Sequence, residues 1–326
     1  MAITQDLYPA PLPNSHFRES IDFTMAHPIH HSDGSAYSIT ATFNYAGAEL
    51  ADAERGTAQR ESFESRFYRE LDNVRAWSAR ANWKQISVPN LQVFVSPEYG
   101  ISRALVHVWA GRGGRMEFPG WRVMSCKAAI THELVHVLFP NGNRFLAEGL
   151  AVHLQAAIGG NPAFPNFGKP LHDRARELLQ EMIPGFLDGD PKSLEQLHLS
   201  ELDEIATPNP LTLRVGQEFY GEEPRGQARI YSIVGSFVQF LIETRGTEKF
   251  GALYEQTPLL PSARNAGASD RWRNAYDFSL SDLEDEWKSM IVGADTSIFD
   301  KKPIDGRTET SAISRHLACN RENGDA

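Results

Sequence analysis

Hydrophobic and polar positions follow three rhythms along this chain. Residues 36–45 (AYSITATFNY) alternate with a period of two, as a half-buried strand does. Phe63, Phe67, Leu71, Val74 and Trp77 then recur at spacings of four and three on a charged background, which predicts an amphipathic helix over about 50–82. LQVFVS (91–96) and ALVHVWA (104–110), rich in β-branched and aromatic residues, read as two more strands separated by a Pro and Gly loop. From Cys126 the pattern turns helical and nearly all apolar. CKAAITHELVHVLF leads to a PNGN turn at 140–143 and then to RFLAEGLAVHLQAAI, which ends at Gly159-Gly160, so the two segments form a helical hairpin.

Further helices are expected at 172–187, 191–205, 227–244, 246–256 and 279–292, with loops at 207–226 and 257–270. The first 35 residues and those from Lys301 lack periodicity and read as a surface arm and a polar tail. The chain therefore divides into an arm (1–35), an α/β substrate-side subdomain (36–125), a helical subdomain (126–292) and a tail (293–326). The expected fold is α+β. A small N-terminal β-sheet with one long helix packs on a mainly helical C-terminal half, and the helix that starts near Cys126 lies in the cleft between them.

Composition narrows the partners. With 326 residues the chain is long enough to bury a sizeable core and a water-excluding cleft. Its 32 Lys and Arg against 42 Asp and Glu leave a net charge of −10, a field that repels phosphate backbones and anionic lipid surfaces, so no nucleic acid is expected as a partner. No run approaches the roughly 18 apolar residues of a membrane span, and MAITQDLYPAPLPNSHFRES lacks a basic region followed by an apolar one. A soluble, cytoplasmic protein is the expectation.

Several features read as structural. Cys126 and Cys319 make neither a disulfide framework nor a CxxC pair, and Cys126 reads as a small buried apolar residue. The acidic runs at 201–204 and 282–286 read as solvated helix faces. The glycines of Gly111–Gly114 read as a loop or hinge, since no GK[ST] follows them, and His27, His30 and His31 as a surface feature.

Chemistry concentrates in His132-Glu133-Leu134-Val135-His136, an HExxH on a helix whose other residues are apolar nearly all round. Histidines four apart share one helix face, so both imidazoles can reach one ion. Glu133 projects about a quarter turn away, where it can hold a water and take its proton as a general base. Burying two imidazoles and a carboxylate in that setting costs several kcal/mol unless they are paired or metallated.

A catalytic zinc needs a third protein ligand and an open position. His136 stands four residues before the PNGN turn and Glu148 five residues after it, so in an antiparallel hairpin the two lie at similar heights. Glu148 is accordingly the candidate third ligand. His153 competes, but five residues further on it lies well round the helix. For the oxyanion of a hydrolysed carbonyl, Tyr231 is the first candidate donor and Tyr220 the second, each set against a plain packing role. The strand at 104–110 could bind an extended peptide by strand addition.

HELVHVLF, a short turn and FLAEGLAVHLQ resemble the gluzincin class of zinc metallopeptidases, particularly peptidase MA-like domains. IYSIVGSFVQFLIETRGTEKF (230–250) is similar to the helix that follows the metal hairpin in that group, and YDFSLSDLEDEWKSMI (276–291) to its terminal helix ending in Glu-x-x-Trp. The resemblance covers about 126–291. It implies one zinc per chain held by His132, His136 and Glu148, with Glu133 as base and peptides or proteins as substrates. The chain departs from the group at His153, where Tyr is common, and at Arg245-Gly246, where Tyr-Gly is common. Two other readings stand beside a peptidase: a non-catalytic binding module on the same fold, and a zinc hydrolase of non-peptide amides or esters. An acid beside the ligands argues against the first, since a purely structural site has no use for it.

Overall fold

Alternation over Ala36–Tyr45 forms a strand, β3, which organises the N-terminal half. The computed structural model describes residues 19–21, 26–30, 36–47, 50, 55–83, 90–106, 114–141, 143–160, 163, 165–178, 198–200, 203, 224–256 and 270–293. Strands β1 (Glu19–Ile21) and β2 (Ala26–His30) pair antiparallel with one side of β3. These residues fall in the segment expected as a surface arm, for which no strands were foreseen. Their apolar content is too low for a periodic signal, and the neighbouring β3 makes them strands.

On the other side of β3, β4 (Asn90–Ser96) runs parallel, with Phe43 opposite Val93. Parallel neighbours need a crossover, and α1 (Arg55–Ala81) supplies it. The expected stripe is the buried face of α1: Phe63, Phe67, Leu71 and Val74 are fully buried, and Trp77 packs partly buried against the same core. The ring of Phe43 meets Phe67 edge-on at 5.2 Å, and Phe63 meets Phe118 at 5.4 Å. Each such burial contributes about 1.5–3 kcal/mol, which is what holds α1 on the sheet.

Strand β6 (Gly114–Pro119) runs parallel to β4, and β5 (Arg103–Val106) runs antiparallel to β6 at the sheet edge. The expected strand at 104–110 thus covers β5, and residues 107–110 lie outside the described residues. Of the glycine-rich stretch read as a loop or hinge, Gly114 opens β6 instead, and residues 111–113 lie outside the described residues. The alternation of β6 runs over only Arg115–Phe118: Met116 and Phe118 are fully buried, and Glu117, facing the other way, is fully buried as well, paired with Arg103 and, at 2.7 Å, with Arg115.

A short helix, α2 (Gly120–Met124), ends where Cys126 takes a positive φ of 57°. The next helix, α3 (Ile130–Leu138), therefore begins four residues later than the apolar pattern suggested. Cys126 is half-buried and disulfide-bonded rather than a buried apolar residue, and Cys319 lies outside the described residues. The hairpin partner α4 (Arg144–Ile158) follows as expected. Beyond it come α5 (Leu171–Leu178), α6 (Pro224–Arg245), α7 (Thr247–Glu255), an unexpected α8 (Arg271–Tyr276) and α9 (Leu280–Gly293). Most of the helix expected at 191–205 and all of the tail from 294 lie outside the described residues.

Asp282, Asp285 and Glu286 are exposed, as a solvated face requires, but each acidic run also contains one buried anchor that this reading did not foresee. Asp203 accepts from Asn143 Nδ2 at 2.7 Å and Trp272 Nε1 at 3.2 Å and pairs with Arg271. Glu284 accepts the Leu199 amide at 2.8 Å. One continuous core joins Phe43, Leu134, Leu150, Phe237 and Trp287, so α3 packs into both halves of an α+β fold. Among the described residues no helix is long and apolar enough to cross a membrane.

Candidate metal centre

Helix α3 is buried throughout except at His136, so its polar groups must find partners inside the protein. His132 and His136 project from one face, their Nε2 atoms 3.1 Å apart. From α4, Glu148 brings one carboxylate oxygen, Oε2, to 3.1 Å from His132 Nε2 and 3.2 Å from His136 Nε2. The three atoms form a nearly equilateral triangle. Ligands about 2.0–2.1 Å from a tetrahedral ion stand about 3.3 Å from one another, so the triangle is of the size such an ion requires. Three lone-pair atoms converging on one point cannot all satisfy each other by hydrogen bonding, and the group could hold a metal ion. His132 Nδ1 is buried with no hydrogen-bond partner among the described residues, and His132 turns its Nε2 to the other two ligand atoms.

The remaining oxygen of Glu148, Oε1, accepts from Arg144 Nη2 at 2.7 Å, one helical turn earlier on α4. Burial alone would raise the Glu148 pKa, but the charges of His136 and Arg144 and hydrogen bonds from both histidines hold it well below the usual range. One oxygen is thus tied to a cation and the other left for the metal position, an arrangement suited to a single-oxygen ligand.

Gly149 brings the next element close. A Cβ there would lie 2.5 Å from Val238 Cγ2 and 2.9 Å from the Val234 carbonyl oxygen, so only glycine lets α6 approach α4 at the height of Glu148. That approach carries Tyr231 into the site. Its ring lies 5.8 Å from that of His132, and its hydroxyl hydrogen-bonds the Glu148 carboxylate. Burial first, then the Glu148 charge, pushes its phenol well above its ordinary range.

Glu133 is buried beside the triangle, and no hydrogen bond or ion pair holds its carboxylate among the described residues. Burial pushes its pKa up to about 7, with His132 pulling it down and Glu148 adding to the rise. Arg122, on α2, and Arg144 add further positive charge that favours the ionised form. A carboxylate poised near neutrality next to a metal position has the character of a general base.

The other candidates fall elsewhere. His153 is buried on α4 away from the triangle, where desolvation lowers its pKa to about 4 and its charged neighbours are Glu243 and His172. It is no third ligand. Tyr220 and His31 lie outside the described residues. Arg144, Arg122, Glu70 and Gln155 were missed by the sequence reading. Arg144 carried a signal, four residues before Glu148 on one helix face, and so did Glu70, which sits in the apolar stripe between Phe67 and Val74. Arg122 and Gln155 had none.

No family model matches the chain, and no curated protein matches it either.

Proposed function

We propose that this chain is a zinc-dependent metallopeptidase of gluzincin type, with His132, His136 and Glu148 as ligands and Glu133 as general base. The observation that carries the reading is the convergence of two imidazole nitrogens and one carboxylate oxygen within 3.1–3.2 Å of each other, with a second buried acid beside them. Nitrogen donors with one carboxylate suit zinc better than magnesium or calcium, which prefer all-oxygen sets.

When bound, zinc would lower the pKa of a water and polarise the substrate carbonyl. Glu133 takes the proton of the attacking water as the new C–O bond forms. It then delivers that proton to the amide nitrogen as the C–N bond breaks, leaving a carboxylate and an amine. Arg144 holds Glu148 in its ligating orientation. Tyr231 is the candidate donor to the developing oxyanion and must leave Glu148 to act so. An extended peptide would lie along β5, the edge strand that packs against α3.

Zinc content per chain, measured without chelator beside Glu148→Ala, tests the site. About one zinc in the wild type, sharply weakened in the variant, is expected. Glu133→Gln should then keep its zinc and lose hydrolysis of a peptide library. Absence of zinc from the wild type would overturn the metal site, and retained hydrolysis in Glu133→Gln would overturn the mechanism. Cleavage confined to ester or non-peptide amide probes would overturn the peptidase assignment alone.

A further inference from the structure

Helix α3 has no cap of its own. Its N-cap residue is Ala129, which offers no side-chain acceptor, yet the first turn lies in the core, where amide groups cannot turn to water. Two side chains from other helices supply what is missing. Glu70 crosses from α1, and its Oε2 accepts both the Thr131 amide at 2.8 Å and the Thr131 hydroxyl at 2.7 Å. Gln155 reaches back from α4, and its Oε1 accepts the His132 amide at 3.1 Å. Glu70 is fully buried and Gln155 nearly so. Arg66, one turn before Glu70 on α1, donates to the Cys126 carbonyl at 3.2 Å, so the same helix also grips the chain just ahead of α3.

A buried acid on the apolar face of a helix is costly, and an apolar residue would pack there without that cost. Its position explains it. Glu70 sits at the positive end of the α3 dipole and binds the residue immediately before the first histidine. Gln155 binds the first histidine's own amide, and it is carried by the helix that carries Glu148. The three ligand-bearing positions are thereby joined through main-chain contacts as well as through the metal position.

We propose that Glu70 is a positioning residue for the metal centre. Its carboxylate, delivered from α1, serves as the cap of α3 and sets the first turn so that His132 meets His136 and Glu148 at the ligating distance. The role rests on the metal-site reading above and goes beyond it, because Glu70 touches no ligand side chain in the hydrogen-bond pattern.

Cobalt(II) replaces the native ion as the probe, since its visible absorption reports coordination geometry. Wild type, Glu70→Ala, Glu70→Gln and a control, Leu71→Ala, are titrated with cobalt, and their unfolding is measured in chelator. Leu71 is a fully buried neighbour on α1 whose side chain has no polar group to offer the cap, so Leu71→Ala should destabilise the protein and leave the cobalt spectrum and affinity as in wild type. Glu70→Ala should weaken cobalt binding by about 10–100-fold, the range of outer-shell changes, and shift the spectrum. Glu70→Gln keeps an acceptor oxygen and should restore most of the loss.

Wild-type affinity and spectrum in Glu70→Ala, or an equal shift in Leu71→Ala, would overturn the positioning role while the metal site stands. No cobalt binding by the wild type would overturn both. Should Glu70→Ala not fold, Thr131→Ala decides the matter: it removes one of the two donors to Glu70, and unchanged cobalt affinity would overturn the proposal.

Discussion

Two effects of opposite sign meet at Gly149, which makes Gly149→Ala a sharp test of how the site is assembled. Inside a helix, alanine is favoured over glycine by roughly 0.5–1 kcal/mol. Against this, the new Cβ would stand 2.5 Å from Val238 Cγ2 and 2.9 Å from the Val234 carbonyl oxygen. Carbon contacts are comfortable at about 3.5–4.0 Å, so α6 must retreat from α4 by something on the order of 1 Å. A valine in a helix has little rotamer freedom and a backbone carbonyl has none, so the strain cannot be absorbed locally. Overpacking of this kind costs about 1–3 kcal/mol, which leaves a net loss of about 1–2 kcal/mol. Because α6 carries Tyr231, its retreat also pulls that hydroxyl off Glu148. Urea unfolding in chelator measures the first effect without any contribution from metal, and zinc titration measures the second. A Gly149→Ala protein that is more stable than wild type, with unchanged zinc affinity, would show that propensity outweighs packing and that the close approach of α6 has no bearing on the site.

Tyr231→Phe separates the two roles open to that residue. At saturating zinc, kcat should fall by about 10²–10³ if the hydroxyl stabilises the oxyanion, and full recovery of activity with added zinc would reduce Tyr231 to an orienting partner of Glu148. Glu70 predicts a pH dependence of stability. Burial pushes its pKa up to about 7 against the pull of Thr131, Arg66 and Arg69, whereas the unfolded chain titrates near 4.3. The folded protein therefore holds a proton that the unfolded chain has lost, so this contribution is complete below about pH 4.3 and is lost as pH rises toward 7, by a few kcal/mol at most. Unfolding free energies of wild type and Glu70→Gln across that window should converge at low pH and separate in favour of the variant above it; parallel curves would contradict the assignment. Cys126 is disulfide-bonded, so thiol titration of the denatured, unreduced protein should find no reactive thiol, and a free one would refute the bond.

Much of the scaffold was legible because it is periodic. The stripe Phe63, Phe67, Leu71 and Val74 marked the buried face of α1, and alternation marked β3 within its observed bounds. Strand β6 was not legible because only Arg115–Phe118 alternate, four residues directly after a glycine-rich stretch, and what seats Glu117 in the core, its pairing with Arg103 and Arg115, is a tertiary contact. The start of α3 was placed too early for a related reason: nothing in the apolar run CKAA reports that Cys126 takes a left-handed turn. Strands β1 and β2 are only three and five residues long, too short for a periodic signal, and what marks them as strands is their pairing with β3.

For the site the division is sharper. Spacing within one helix is set by the covalent chain and the 3.6-residue turn, so the order of residues was enough to put His132 and His136 on one face and Glu133 off it. A four-residue turn determined that Glu148 would stand opposite them. Everything that joins separate helices was decided by tertiary structure alone: the Glu70 and Gln155 caps of α3, the approach of α6 at Gly149, and the seat of Tyr231 against Glu148. Such contacts depend on which surfaces pack and how closely, and packing is a property of the folded core rather than of any stretch of chain.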